Sequence, residues 1–226
     1  MKKLIRGIVD FRKNVRPGVK DVFARLALGQ RPDTLFIACS DSRVVPNLFA
    51  SSDPGDLLVV RNVGNLIPPC GASGDSSGAD SEAAAIDFAL HALPITDIIV
   101  CGHSECGAMG ALLCGRAQLP SAFLRNWLRH GDASLERLDS GPSLGAHFPR
   151  HNQLSQLNVL EQIEHLKTYP IVQERLEAGR LHLHGWWFDI KEADVYAYAA
   201  EEKRFRLIDE DYAGVLLGRA AESGAS

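Results

Sequence analysis

The sequence predicts an α/β fold with a central, mainly parallel β-sheet flanked by helices and finished by an antiparallel edge strand. Three observations carry that expectation. Thr34-Leu35-Phe36-Ile37-Ala38, Leu57-Leu58-Val59-Val60-Arg61 and Asp97-Ile98-Ile99-Val100-Cys101 are apolar runs too short for globular helices, each preceded by turn residues. A helical stretch from Asp80 to Leu93 separates the second run from the third, and strand alternating with helix is the pattern of a parallel sheet. Farther on, Leu181 to Ile190 and Val195 to Ala199 flank the polar Lys191-Glu192-Ala193-Asp194 and read as a hairpin on the sheet edge.

In chain order, Lys2 to Asn14 and Gly18 to Leu28 read as two short helices punctuated by Pro17-Gly18. The three strands that follow are continuously apolar, which suits strands covered on both faces. Gly107 to Cys114 is rich in Ala and Leu and stops at Gly115, as a short helix should. Ser121 to His130 reads as another helix. Asn152 to Tyr169 places Leu154, Leu157, Leu160, Ile163 and Leu166 on one side and ends at Pro170, so an amphipathic helix is expected there. Pro170 to Ala178 continues as a helix closed by Gly179. Pro68 to Gly78 has the composition of a mobile loop, and Glu222 to Ser226 that of a frayed end. The chain reads as one domain over 1–226, with 1–29 as a helical arm and 220–226 as a flexible tail.

Composition narrows the classes of function. With 226 residues, 46% of them hydrophobic, the chain can bury a substantial core. Net charge is −4, with Lys and Arg spread throughout, so no basic footprint for nucleic acid is present. No run is long enough to span a bilayer. The start is basic but is broken by Arg6 and Asp10 before an export signal develops. Five cysteines, an odd number, then argue for free thiols in a reducing cytoplasm. A small or neutral partner fits this composition.

Two motifs carry the chemistry: Cys39-Ser40-Asp41-Ser42-Arg43 and His103-Ser104-Glu105-Cys106-Gly107. Two thiolates and one imidazole suit zinc, and three ligands leave a position for water, which is the habit of catalytic rather than structural zinc. Cys39 follows one strand and His103 another, where open α/β sheets bind ligands. His103 and Cys106 are spaced to share one side of a helix entrance, where the helix dipole favours a thiolate at Cys106. Asp41 and Arg43 alternate with Cys39 along an extended segment and so share its side. Asp41 is expected either to complete the zinc tetrahedron or, drawn off by Arg43, to accept a hydrogen bond from zinc-bound hydroxide. Zn²⁺ with two thiolates and a neutral imidazole sums to zero charge, so hydrogen bonding around the ion must recover the acidity the thiolates remove. Cys70, Cys101 and Cys114 have no partners at ligand spacing.

At these residues the chain resembles the β-class carbonic anhydrases. The resemblance runs from about Gln30 to Asp189 and includes both motifs together with Arg61-Asn62-Val63-Gly64-Asn65 and Leu183-His184-Gly185-Trp186. It implies zinc on Cys39, His103 and Cys106, an Asp41–Arg43 dyad, and reversible hydration of carbon dioxide to bicarbonate. It also implies obligate dimers, with the N-terminal helices packed on the partner, that often pair into larger even-numbered assemblies. One subgroup of the family closes its site with bicarbonate; Phe36, Arg61 and Phe188 stand at the corresponding positions here, and the two phenylalanines lack the polar contacts. Gln30 matches the plant-like subgroup instead, although Leu58 and Phe88 depart from its aromatic pattern. Leu58, Val63 and Phe88 are expected as apolar walls for carbon dioxide, with Gln30 and the Gly107 N–H donating to its oxygens. Gln30 and Phe88 are expected to serve the zinc of a partner chain. Two other readings keep the same ligands: hydrolysis of carbonyl sulfide or carbon disulfide, and a zinc-stabilised module without catalysis in which Asp41 is a permanent fourth ligand.

Overall fold

Each apolar run forms a strand, and the three lie side by side. In the computed structural model, which describes residues 1–71, 80–141 and 144–223, these are β1 (Thr34–Cys39), β2 (Leu57–Asn62) and β3 (Asp97–His103). With β4 (His182–Asp189), β5 (Asp194–Ala199) and β6 (Arg204–Leu207) they make one six-stranded sheet of order β2-β1-β3-β4-β5-β6. The first four strands in that order pair parallel, and β4–β5 and β5–β6 pair antiparallel. The expected hairpin is there, but β6 takes the edge. Its four residues, Arg204-Phe205-Arg206-Leu207, are too short and charged to announce a strand, and those same properties discourage edge-to-edge association.

Side chains alternate across the sheet with period two, which sorts the core into two layers. Leu35, Ile37, Ile98 and Val100 pack beneath α4 (Asp80–Ala92), α8 (Arg150–Leu166) and α9 (Pro170–Glu177), meeting Ile86, Leu90, Val159 and Val172. Phe36, Ala38, Ile99 and Cys101 face the other way, toward Phe49 and Phe188, whose rings stack with centroids 4.8 Å apart. Both faces are covered, as the continuous apolar runs require.

Elsewhere the elements depart from the sequence reading in instructive ways. α1 (Lys2–Asp10) and α2 (Arg16–Leu26) are joined through one π-helical turn, Phe11–Val15, rather than broken at Pro17-Gly18. Pro17 falls in the first turn of α2, where a missing N–H costs no hydrogen bond. Neither helix buries a residue, and Leu4, Ile5, Ile8, Val9 and Phe23 are all exposed. α7 (Asp132–Ser140) and α10 (Glu210–Ser223) went unforeseen because their apolar stripes are thin. The helix α10 occupies the first part of the expected tail, whose last residues, 224–226, lie outside those described. Residues 72–78 of the expected Pro68–Gly78 loop also lie outside them. Among the described residues no helix is long and apolar enough to cross a membrane.

The largest departure is α8. Its apolar side packs as expected, but Asn152, Ser155, Gln156, Asn158 and Gln162 on the rest of the helix are each 4% exposed or less. The polar stripe is therefore inside the protein, facing the loops at the carboxyl end of the sheet. Gly102 lies within β3 and lets α8 approach: a Cβ there would stand 2.7 Å from Val159 Cγ2 and 3.1 Å from the Ser155 carbonyl oxygen. Gly102→Ala must push α8 away, and the expected loss, read as a fall in the midpoint of chemical unfolding, is about 1–3 kcal/mol.

Candidate metal centre

Chain order reverses between β1 and β3: β1 is followed by β2 on one side, and the chain then crosses to β3 on the other. Cys39 ends β1 and His103 ends β3, so both emerge at this switch point. Glu105, with φ 56°, turns the chain sharply, and Cys106 becomes the residue that caps α5 (Gly107–Leu113). The two sulfurs and one imidazole nitrogen lie within 4.8 Å of one another, all on buried residues. His103 Nδ1 is 2.8 Å from the Ser104 carbonyl oxygen, which can only accept, so Nδ1 carries the proton and Nε2 offers a lone pair. That Nε2 is buried and has no hydrogen-bond partner in the protein. An unsatisfied buried group of this kind costs about 1–3 kcal/mol, a cost that a metal ion removes. The donor set fits a borderline-soft divalent ion.

With protein groups alone, the sulfurs compete for a proton. The hydrogen bond from Cys106 holds the Cys39 thiol below its usual range, against the opposing effect of burial. The same pairing, reinforced by burial, pushes the Cys106 thiol far up, and the N–H groups of Met109 and Ala108 at the start of α5 do not offset it. A dication between the sulfurs reverses the balance by favouring both charges.

Beside this cluster Arg43 grips Asp41 with two side-chain bonds, Nε to Oδ1 at 2.9 Å and Nη2 to Oδ2 at 2.8 Å, and its backbone N–H adds a third at 3.0 Å. These bonds hold the Asp41 carboxyl well below the usual carboxylate range. Arg43 Nη2 also donates to the Glu105 carbonyl at 3.1 Å, joining the two motifs. Arg61, whose contacts the sequence did not disclose, ties down the first motif by donating to the carbonyls of Cys39 at 3.0 Å and Asp41 at 2.6 Å.

A cavity of about 270 Å³ opens on the cluster, lined by Cys39, Asp41, Val63, Gly107, Ala111 and Leu124 among others. Val63 and Gly107 therefore come together with the ligand group. Gln30, Leu58 and Phe88 do not: Gln30 is exposed ahead of β1, Leu58 packs on the core beneath α4, and Phe88 is 48% exposed on α4. A larger cleft of about 910 Å³ follows β4, β5, α8 and α10 and includes none of the ligand residues.

The polar stripe of α8 accounts for residues the sequence reading missed. Ser155 Oγ donates to the His103 carbonyl at 2.8 Å and accepts from the His103 N–H at 3.3 Å. Asn152 Oδ1 accepts the Glu105 N–H at 2.7 Å, and Gln162 Oε1 accepts that of Ile67 at 2.7 Å. His151, at the start of the helix, places Nε2 3.0 Å from Glu105 Oε1. Polar residues at three- and four-residue spacing were visible in the sequence, but that pattern also describes an ordinary solvated face.

Comparison with known proteins agrees with this geometry. The family model described as carbonic anhydrase matches residues 34–195. A carbonic anhydrase of Synechocystis sp. is 44% identical over 200 residues, covering 88% of this chain and 71% of that one. Among solved structures, the β-carbonic anhydrase CcaA superposes with a TM-score of 0.82 at 41% identity, covering 92% of this chain and 98% of that one. One of two tetrameric β-carbonic anhydrases of the ascomycete Sordaria macrospora superposes with a TM-score of 0.67 at 28% identity, covering 87% and 92%. A buried Cys-His-Cys group at the switch point of such a sheet, matched over most of the chain, places this protein in the β-class carbonic anhydrase family.

Proposed function

We propose that the chain catalyses reversible hydration of carbon dioxide to bicarbonate and a proton, with a zinc ion held by Cys39, His103 and Cys106. The observation that carries this reading is the unpartnered His103 Nε2 converging with two sulfurs, of which that of Cys39 belongs to a residue lining a small cavity edged by Asp41. When bound, zinc supplies the polarisation that makes water a nucleophile near neutral pH. Asp41, whose oxygens are engaged by Arg43, is held off the ion as a hydrogen-bond acceptor that orients the attacking water. The bidentate grip on Asp41 supports this open arrangement over a permanent fourth ligand. Val63, with Ala111 and Leu124, offers an uncharged substrate an apolar wall, and the Gly107 N–H donates to its oxygens as negative charge develops. Family membership favours carbon dioxide over sulfur analogues and over a module without catalysis.

Assembly completes the reading. The arm formed by α1 and α2 exposes Leu4, Ile5, Ile8 and Phe23, apolar surface that a second copy would cover. We assign the chain to a homodimer or a larger even-numbered assembly, in which Gln30 and Phe88 act at a partner's cavity. The tetrameric state of the Sordaria macrospora proteins supports this. Phe36 and Phe188 lie in an apolar cluster and Arg61 is engaged with backbone carbonyls, which supports the plant-like subgroup, whose site bicarbonate does not close. Thiolate ligands suit a reducing cytoplasm.

Asp41→Ala is expected to retain its metal while carbon dioxide hydration, followed by stopped flow, falls at least about 100-fold; full activity would remove Asp41 from the reaction. Cys106→Ser should lose most of its bound zinc, counted by elemental analysis on the same preparation. Leu4→Glu combined with Ile8→Glu should lower the molecular mass seen by light scattering, and an unchanged mass would exclude the arm from the interface.

A further inference from the structure

Asn158 lies in the middle of α8, 1% exposed, with both ends of its amide in use. Its Oδ1 accepts from Ser134 Oγ at 3.2 Å and from Gln162 Nε2 at 3.0 Å. Two donors on the oxygen fix the amide so that Nδ2 donates to the Gly64 carbonyl at 3.1 Å. Gly64 is held at φ 86°, a left-handed conformation natural to glycine, and a Cβ there would stand 3.0 Å from Ala108 Cβ. In that posture the Gly64 N–H points at Cys39 Sγ, 3.4 Å away. Asn158 itself is not among the residues that line the cavity.

We propose that Asn158 is a positioning residue that sets how strongly the Cys39 sulfur donates electrons to the bound ion, acting through the Gly64 N–H. The proposal rests on the reading of Cys39 as a metal ligand. Two thiolates cancel the charge of a divalent ion and weaken its pull on whatever else it binds. An N–H hydrogen bond draws electron density off a thiolate, so it returns part of that pull. The bond is long and weak and depends on alignment. Without Asn158 the Gly64 carbonyl would be buried with no donor, and the turn would rotate to satisfy it, swinging the N–H off the sulfur. Ser134 and Gln162 keep Asn158 itself from rotating.

The test replaces zinc with cobalt(II), whose sulfur-to-metal charge-transfer band reports thiolate donation, in the wild type, Asn158→Ala and Leu157→Ala. Leu157 is buried on the same helix in an apolar cluster away from the ligands and serves as the packing control. Asn158→Ala should bind one cobalt per chain at saturating metal and show the band shifted to longer wavelength, because a thiolate without its hydrogen bond gives up an electron more easily. Its kcat for carbon dioxide hydration should fall about 10- to 100-fold, with KM little changed. Leu157→Ala should lower Tm and leave the band in place. An unmoved band in Asn158→Ala, an equal shift in Leu157→Ala, or no cobalt binding by Asn158→Ala would each overturn the proposal, the last by making Asn158 a requirement for the site to exist. In the wild type loaded with spin-active cadmium, magnetic coupling between the metal and the Gly64 amide proton should be visible across the sulfur, and its absence would also overturn it. A wild-type cobalt spectrum with the thiolate band but no hydration by the zinc form would count against the proposed reaction and leave the positioning role standing.

Discussion

Bringing two cysteine sulfurs together in a nearly dry pocket is the constraint around which the carboxyl end of this sheet is built. Left to protein groups, two buried thiolates side by side repel, so the pair favours keeping a proton between its sulfurs. The imidazole of His103 adds a buried lone pair with nothing to bind. A divalent cation resolves both difficulties at once. The surrounding architecture then serves two ends: delivering the three side chains to one point and fixing the Asp41 carboxylate beside them through Arg43.

Delivery is the work of the sheet and α8 together. β1 and β3 are neighbours in parallel register, with Ala38 opposite Cys101, so the ends of the two strands meet. Strand pairing fixes position along the sheet but leaves the loops beyond it free. α8 closes that freedom with side chains bonded to the backbone of His103, Glu105 and Ile67. Bonds from side chain to backbone hold a loop without depending on the loop's own side chains, which remain available for chemistry. Arg61 does the same for the segment from Cys39 to Asp41.

The parallel sheet and the ligand group were legible in the sequence because both rest on local signals. Short apolar runs bounded by turn residues can be little else than strands, and cysteine and histidine placed just past them bear recognisable chemistry. β6, α7 and α10 lacked such a signal, being short, charged or only thinly apolar. Pro17 misled because its meaning depends on whether it falls inside a helix or in a first turn, which composition alone does not tell. The inward polar face of α8 was hidden more deeply. Asn152, Ser155, Asn158 and Gln162 have the spacing of a water-facing stripe, and only the tertiary arrangement shows that backbone groups take the place of solvent. The cavity was half legible: Val63 and Gly107 belong to motifs adjoining the ligands, whereas Gln30, Leu58 and Phe88 sit apart from it within one chain.

Small zinc modules commonly owe their shape to the ion and collapse when a chelator removes it. Here the backbone around the ligands is held from a helix that coordinates nothing, so the mould for the metal is stored in the polypeptide. Stripping such a protein should leave a receptacle rather than an unravelled chain, and restoring it becomes a question of ion supply, not of refolding.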